Sequence, residues 1–295
     1  METWKRSKSD IWFDRINVLF WIIVLFIVIY PLYFILIASF SNPDLVNAGQ
    51  VWFMPKELAI EGYMRILEND QIWVGYRNTI IYTIVSTVIS VVLLLTGGYA
   101  LSRKDLAGRN VIMMLIAFTM FFGGGLIPTY LLVKSLGMLD TLWALVIPNA
   151  VGVYQLIICR TFFQSTIPDE LLEAAVMDGC NNTRFFLRIV LPLSTPIIAV
   201  MILFRAVSEW NAYFDALIYI RDQAKQPLQI ILRDILIQAQ ADGNMLDSSS
   251  AAEQQKLSEQ IKYGVVIVAS LPVLVLYPFL QRYFVKGVMI GSIKG

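Results

Sequence analysis

Residues 165–192 have the sequence Ser165-Thr-Ile-Pro-Asp-Glu-Leu-Leu-Glu-Ala-Ala-Val-Met-Asp-Gly179, continued by Cys-Asn-Asn-Thr-Arg-Phe-Phe-Leu-Arg-Ile-Val-Leu-Pro192. This stretch lies between two long apolar runs but is itself too polar to cross a membrane. We predict a first helix capped by Ser165 or Thr166, with Pro168 in its first turn. Asp178 and Gly179 are expected to end this helix, because glycine readily adopts the left-handed conformation of a C-terminal cap.

A second short helix is predicted directly after Gly179. Asn182 is expected to cap it, and it carries Phe185, Phe186 and Ile189 before Pro192 opens the next apolar run. The product is a pair of helices held at the membrane surface. We refer to residues 165–192 as the 165–192 loop.

The composition places the chain in lipid. Hydrophobic residues make up 57% and charged residues 15%, whereas soluble domains carry about 25% charged residues. The net charge of +1 and the lack of a charged tail exclude an electrostatic basis for nucleic-acid binding. The chain has no histidine, which argues against zinc chemistry and His-based catalysis. Cys159 and Cys180 are too few for a disulfide framework and fit a reduced, cytoplasm-facing location.

Six stretches are apolar and long enough to be predicted transmembrane helices, although Gly and Pro interrupt some of them. They are residues 16–40, 79–101, 111–126, 142–163, 193–213 and 263–284. Lys and Arg are concentrated in the short loops on one side, which the positive-inside rule makes the cytoplasmic side. We therefore predict an all-α membrane protein with one domain, residues 1–295, and with both termini and the 165–192 loop in the cytoplasm.

Two longer segments are predicted on the opposite, extracytoplasmic side: residues 41–78 and 214–262. The first mixes Trp and Tyr with charges, which is typical of an amphipathic segment at the interface and favours a structural collar. The second ends in a polar insertion, residues 242–260, which is either a solvated helix or a loop that contacts an outer partner. Thr96, Gly97 and Gly98 indicate close contact between helices.

The 165–192 loop contains a pattern that identifies a family: Glu-Ala-Ala, three residues, Gly, nine residues, Ile, one residue, Leu-Pro. The residues that fill it, with no departure, are Glu173, Ala174, Ala175, Gly179, Ile189, Leu191 and Pro192. This pattern resembles the coupling-loop signature of binding-protein-dependent ABC importer permeases. Gly98-Tyr-Ala-Leu-Ser-Arg103, Trp210-Asn211 and residues 285–295 resemble the carbohydrate-uptake branch. Within it, the chain is most similar to the second permease of complex oligosaccharide importers, the group of the lipoprotein-type, aldouronate and rhamnogalacturonan systems.

The resemblance implies a type I importer permease in a bacterial inner membrane, with six transmembrane helices. It implies four kinds of partner: a second permease, two cytoplasmic ATPase subunits, an extracytoplasmic solute-binding protein and a sugar substrate of the oligosaccharide type. The 165–192 loop, including Asp178, would then receive the movement of the ATPase. The tail residues Gly287, Gly291, Lys294 and Gly295 would reach between the ATPase subunits; a frayed basic tail is the alternative.

No Gly-x-x-x-x-Gly-Lys-Ser/Thr phosphate loop occurs in the sequence. The chain is therefore not expected to be an enzyme, because nothing in it is predicted to cradle the phosphates of ATP. We expect no cofactor and no metal in this chain, and we expect ATP and Mg²⁺ to be bound by the ATPase.

Arg205 and Glu209 are the candidate residues of a translocation pathway, because ionisable side chains inside a span are costly and usually functional. Their i,i+4 spacing also predicts a simple ion pair on one helix face. The candidates that follow are Trp210, Asn211, Tyr213 and Phe214, with Asp215 next to them. These aromatic and polar groups suit either stacking on sugar rings or anchoring at the membrane interface.

An ion-coupled secondary transporter is the alternative function, but such proteins usually have inverted repeats and several intramembrane carboxylates. The sequence contains neither pattern. An intramembrane hydrolase would need a nucleophile with an activating base, and no such constellation is recognisable.

Overall fold

A computed structural model describes residues 7–244, 256 and 258–275, which form helices and turns without β-strands, as the all-α prediction requires. The helices are α1 Lys8–Ser39, α2 Pro43–Asn47, α3 Glu61–Leu67, α4 Asp70–Ser102, α5 Arg109–Phe118, α6 Leu126–Ser135, α7 Leu142–Val146, α8 Val153–Thr166, α9 Asp169–Met177, α10 Asn182–Phe185, α11 Leu191–Leu193, α12 Thr195–Trp210, α13 Phe214–Tyr219, α14 Leu228–Asn244 and α15 Ser258–Val275. A π-helical turn covers Phe186–Val190, and a 3₁₀ turn covers Gln223–Lys225.

Three of the described helices, α1, α4 and α15, are long and apolar enough to cross a bilayer. Residues 182–193 and α12 meet at an angle of 79° and are long and apolar enough together to form either a broken span or a re-entrant loop. The remaining predicted spans are shorter helices. In the predicted span 111–126, helix α5 ends at Phe118. The predicted span 142–163 is divided into α7 and α8 by a break around Pro148. The count of six spans stays a prediction.

The chain divides into two compact units. In the first unit, which includes residues 7–69, the last residues of α1 pack with Val46 and Val51. Helix α3 lies close to α15, because the Gly62 N–H donates to the Gln260 side chain over 3.1 Å. The segment predicted as an outer collar thus contains two short helices, α2 and α3.

The second unit includes residues 70–233, and its core lies between α4, α8, α12 and the 165–192 loop. Helices α4 and α8 approach most closely at Gly98, where an added Cβ would lie 2.7 Å from the Cys159 Cβ. This confirms the close helix contact predicted from the small residues. The packing in the N-terminal part of α4 differs, because Asn78, Thr79 and Tyr82 are polar and all three bond to residues 224–228.

The contact at Gly98 leads to a stability prediction. Gly98→Ala is expected to lower the free energy of unfolding by about 1–3 kcal/mol, because overpacking a tight helix contact forces the backbones apart. Gly97→Ala is the matched control, since its Cβ would meet Leu156 at an ordinary 3.4 Å. The measurement is the melting temperature of the purified chain in detergent. Equal melting temperatures for the two variants would contradict the close approach.

A second prediction concerns Asp140, which lies between α6 and α7 with a left-handed φ of 56°. Its Oδ1 atom accepts hydrogen bonds from the backbone N–H groups of Arg221, over 2.5 Å, and Asp222, over 3.1 Å. These two bonds lower the pKa of the Asp140 carboxyl below its ordinary value, and the Arg221 bond has the larger effect. A lowered pKa in the folded state means that the carboxylate stabilises the fold above its unfolded pKa of about 3.9.

This stabilisation is lost as the pH falls below about 4 and passes through the lowered pKa. Asp140→Asn removes the charge but keeps a residue that tolerates the left-handed conformation. We expect the melting temperature of the wild type to exceed that of Asp140→Asn by a constant amount from neutral pH to about pH 5, and the difference to shrink below about pH 4. A difference that is independent of pH would refute this role of the charge.

Candidate functional site

The start of the 165–192 loop differs from the prediction. Ser165 and Thr166 belong to the last turn of α8, and the Ser165 hydroxyl donates to the Phe162 carbonyl over 3.1 Å. The prediction that either residue caps the next helix is therefore wrong. The N-cap of α9 is Pro168, in an extended conformation. The helix breaks there because a residue that precedes proline disfavours the α conformation, and Ile167 is accordingly extended.

The end of α9 agrees with the prediction. Asp178 is the C-terminal cap, and Gly179 has a left-handed φ of 71°. The Gly179 N–H donates to the Val176 carbonyl and the Cys180 N–H donates to the Ala175 carbonyl, each over 2.9 Å. These two bonds satisfy carbonyls that the helix end would leave without partners.

The second helix of the loop begins one residue earlier than predicted. Asn181 is the cap of α10, and its side chain accepts from the Arg184 N–H over 2.8 Å, so Asn182 is the first helical residue. The π-helical turn then leads to α11, and Ser194 lies at the 79° bend before α12. The Ser194 hydroxyl donates to the Val190 carbonyl over 2.6 Å, which fixes this bend.

The two alanines of the Glu-Ala-Ala pattern differ in burial. Ala175 is buried in the core of the second unit together with Phe185 and Val190, whereas Ala174 is exposed. Only Ala174 is therefore available to a partner surface. The other predicted coupling residues differ in exposure: Glu173, Asp178, Gly179 and Pro192 are exposed, and Ile189 and Leu191 are half-buried. The exposed end of α9 also carries Val176 and Met177, and Met177 is 88% exposed. We call Glu173, Ala174, Val176, Met177 and Asp178 the α9 tip.

The 165–192 loop is attached to the end of α4. The ring of Tyr99 packs against Phe186, with centroids 5.0 Å apart, and meets the edge of Phe163 at 5.8 Å. Arg103 donates from Nη1 to the Tyr99 hydroxyl over 3.0 Å and to the Asn182 side chain over 3.3 Å. The neighbouring Lys104 forms an ion pair with Asp169.

The charges beside this attachment are paired. Nε and Nη2 of Arg103 both donate to the Asp105 carboxylate, over 2.7 and 2.6 Å. This pairing raises the pKa of the Arg103 guanidinium and lowers the pKa of the Asp105 carboxyl. The hydrogen bond to Asp169 likewise raises the pKa of the Lys104 ammonium. All three groups are therefore charged at neutral pH.

A second site lies between α12 and α4, where Arg205 and Glu209 meet. Arg205 Nη2 and Glu209 Oε2 are 2.9 Å apart, and the two side chains are only 13% and 8% exposed. The Ser86 hydroxyl of α4 accepts from Arg205 Nε over 2.8 Å and donates to Glu209 over 3.0 Å. The ion pair predicted from the i,i+4 spacing is confirmed. Buried charges of this kind require such partners.

The ion pair forms part of the wall of a cavity of about 330 Å³. Its polar lining also includes Asn149 and Asp215, which are joined by a hydrogen bond of 2.6 Å. The remaining lining residues are Thr79, Tyr82, Leu145, Pro148, Val151, Gly152, Ser208, Ala212, Ala216 and Pro227. Asn149 and Ser208 are lining residues that were not predicted from the sequence. A polar residue next to the helix-breaking Pro148 is the signal that points to Asn149.

The other predicted pathway residues do not line this cavity. Trp210 is buried, and its ring lies 6.1 Å from that of Tyr76. Asn211 donates to the Val207 carbonyl over 2.8 Å, while Tyr213 and Phe214 are exposed and meet edge to face. The predicted tail residues Gly287, Gly291, Lys294 and Gly295 lie outside the described residues, as does most of the polar insertion. In the described part of the chain, no three His, Cys, Asp or Glu side chains are placed to hold a metal ion.

Comparisons with known proteins agree with the family resemblance of the 165–192 loop. Residues 72–290 match the family described as "Binding-protein-dependent transport system inner membrane component". The chain is 41% identical to the polygalacturonan/rhamnogalacturonan transport system permease protein YtcP of Bacillus subtilis, over 96% of this chain and 98% of that protein. It is 40% identical to the protein LplC of the same organism, over 100% and 99% of the two chains. The crystal structure of a bacterial ABC transporter involved in the import of the acidic polysaccharide alginate has a chain 32% identical, with a TM-score of 0.82 over 96% of this chain and 100% of that chain.

Proposed function

Since this chain belongs to the inner-membrane components of binding-protein-dependent transport systems, we propose that it forms half of the translocation pathway of an ATP-driven oligosaccharide importer. The chain is a membrane permease and not itself an enzyme. The observation that carries the proposal is the 165–192 loop, which is anchored to the core through Ala175 and Phe185 while the α9 tip stays exposed. A rigid base and an exposed end suit an element that is pushed by another protein.

The partner of the α9 tip is a separate ATPase, with two ATPase subunits in the complex. The tip offers the apolar side chains of Val176 and Met177 between the carboxylates of Glu173 and Asp178. A groove with an apolar floor and an Arg at its rim would complement it, because Arg forms strong charge-assisted bonds with carboxylates. ATP and Mg²⁺ are bound by the ATPase, since this chain has no phosphate loop. No cofactor or metal is needed in the permease itself.

The orientation follows from the distribution of positive charge. Lys and Arg near the 165–192 loop and in the neighbouring short loop support a cytoplasmic location for this side and for both termini. The C-terminal residues Gly287, Gly291, Lys294 and Gly295 are proposed to reach between the ATPase subunits. A second permease supplies the other half of the pathway, and a solute-binding protein delivers the substrate on the opposite side.

The substrate class is proposed from two independent arguments. The names of the relatives refer to polygalacturonan, rhamnogalacturonan and alginate, which are all carbohydrate polymers. The cavity beside Arg205 is lined by groups that suit sugar hydroxyls, namely the carboxylates of Glu209 and Asp215, the Asn149 amide and the Ser208 hydroxyl. We therefore propose oligosaccharides as the substrates.

The test is reconstitution of the chain with its second permease, ATPase and binding protein in proteoliposomes. Uptake of an oligosaccharide panel is expected to require ATP inside and the binding protein outside, and the chain alone is expected not to hydrolyse ATP. Uptake by the chain alone, driven by a proton or sodium gradient, would instead establish the ion-coupled alternative. ATP hydrolysis by preparations free of the ATPase would refute the division of labour.

A further inference from the structure

We propose that Tyr99 and Arg103, at the end of α4, are positioning residues that hold the 165–192 loop on this helix, so that α4 follows the loop when the loop is moved. We call the two residues the α4 latch. This inference rests on the proposed function of the loop, but it concerns residues outside the loop and outside its family pattern.

The aromatic half of the latch is the contact of Tyr99 with Phe186 and Phe163. Phe186 is the first residue of the π-helical turn, and its ring centroid lies 5.0 Å from that of Tyr99. Phe163, which belongs to α8, is only 1% exposed and meets Tyr99 edge to face. Tyr99 therefore joins the loop to two helices of the core at once.

The polar half of the latch is the guanidinium of Arg103, whose N–H groups donate to different acceptors. Its Nε and Nη2 atoms are held by Asp105, which leaves Nη1 directed to the Tyr99 hydroxyl and to Asn182 at the start of α10. The guanidinium also lies over the Tyr99 ring, 5.8 Å from its centroid. Lysine, with a single ammonium group, cannot reproduce this set of contacts.

These contacts add to the core packing that joins α4 and the loop, which includes Leu101 and Phe185. Residues 102–104 and the first turn of α9 line a common cavity of about 330 Å³. The ion pair between Lys104 and Asp169 also bridges them, but its side chains are 73% and 53% exposed. Exposed ion pairs contribute little, whereas the Arg103 side chain is only 15% exposed. Arg103 therefore carries more of the attachment than Lys104.

The geometry of α4 and α12 explains what the latch would do. Helix α12 continues the 165–192 loop through the bend at Ser194, so the chain itself makes it follow the loop. Helix α4 has no such covalent link to the loop, and it is joined to the loop by the packing of the common core and by the latch. The two helices meet again at Ser86, which bonds both Arg205 and Glu209 and lies about 20 Å along α4 from Tyr99. Together with the direct packing of α4 on α12, the latch makes the two helices move together, which preserves the hydrogen bonds at Ser86.

The experiment uses the reconstituted complex of permeases, ATPase and binding protein. Arg103→Gln and Asn182→Ala are each expected to lower the solute transported per ATP hydrolysed about fivefold, with complex abundance unchanged. The double variant is expected to be no worse than Arg103→Gln, because both changes break the same bond. Lys104→Gln is the matched control, since it removes one positive charge from the same surface, and its transport per ATP is expected to equal that of the wild type.

Three results would overturn the inference. In the first, the Arg103→Gln complex transports normally per ATP hydrolysed, or its uptake falls only in proportion to its abundance. In the second, the effects of Arg103→Gln and Asn182→Ala multiply in the double variant. In the third, Lys104→Gln lowers coupling as much as Arg103→Gln. Lack of ATP-dependent uptake by the wild-type complex is a separate outcome, which would overturn the proposed function and with it this inference.

Discussion

Gly179→Val is expected to lower solute transport per ATP hydrolysed at least about tenfold while the complex still assembles. Gly179 has a left-handed φ of 71°, and a β-branched residue is strained by about 1–2 kcal/mol in that conformation. No atom outside the backbone neighbours lies within 4 Å of an added Cβ, so the change strains the loop without disturbing the core. We expect the turn between α9 and α10 to change conformation, which relieves the backbone strain and displaces the α9 tip from its partner.

Gly108→Val is the control for Gly179→Val. Gly108 has a similar φ of 75° and equally open surroundings, but it lies before α5 and outside the 165–192 loop. The two variants therefore carry the same strain at different places. Substrate-stimulated ATP hydrolysis and uptake are measured in proteoliposomes and divided by the amount of complex. Equal losses of coupling in both variants would mean that strain anywhere on this side of the protein, rather than the position of the α9 tip, is responsible.

The second large effect is expected for Arg205→Ala, which leaves the Glu209 carboxylate buried without its cation. Glu209 is only 8% exposed, and removing one partner of a buried ion pair typically costs about 3–5 kcal/mol. We therefore expect a marked loss of assembled complex and a lower melting temperature in detergent. A melting temperature equal to that of the wild type would contradict the burial of this charge.

The double variant Arg205→Met with Glu209→Leu separates the two interpretations of the pair. Replacing both charges by apolar side chains is expected to restore most of the stability, because no unpaired charge remains buried. Uptake per assembled complex then reports on function alone. If uptake is restored with stability, the pair is structural; if uptake stays low, the pair belongs to the translocation pathway.

The 165–192 loop illustrates what local sequence can predict. The end of α9 was predictable, because Gly179 supplies a conformation that few other residues adopt readily. The beginning of α9 was not predictable, because α8 continues through Ser165 and Thr166 until Pro168 disfavours the helix. Capping residues inside a longer helix give the same local signal as true caps. The different burial of Ala174 and Ala175 likewise depends on which face of α9 packs on the core.

The site around Arg205 and Glu209 was likewise only partly predictable from the local sequence. The pair of Arg205 and Glu209 was predictable, because i,i+4 spacing places both side chains on one helix face. The third member, Ser86, comes from α4, more than a hundred residues away in the chain. Asn149 and Asp215 are also brought together by tertiary packing rather than by sequence proximity. Asn149 lies between α7 and α8, and Asp215 lies on α13, so their meeting depends on tertiary packing, for which a single sequence offers no distance information.

The polar end of α4 has a consequence for how the sequence can vary. Asn78 donates to the carbonyls of Ala224 and Gln226, and Tyr82 donates to that of Lys225. The Leu228 N–H completes the set by donating to Thr79. All four bonds use main-chain atoms of the connecting segment, so its side chains at 224–226 can be exchanged without loss of these bonds, whereas Asn78, Thr79 and Tyr82 cannot. New surface chemistry can therefore be introduced on this connection at little cost to the helix that holds it.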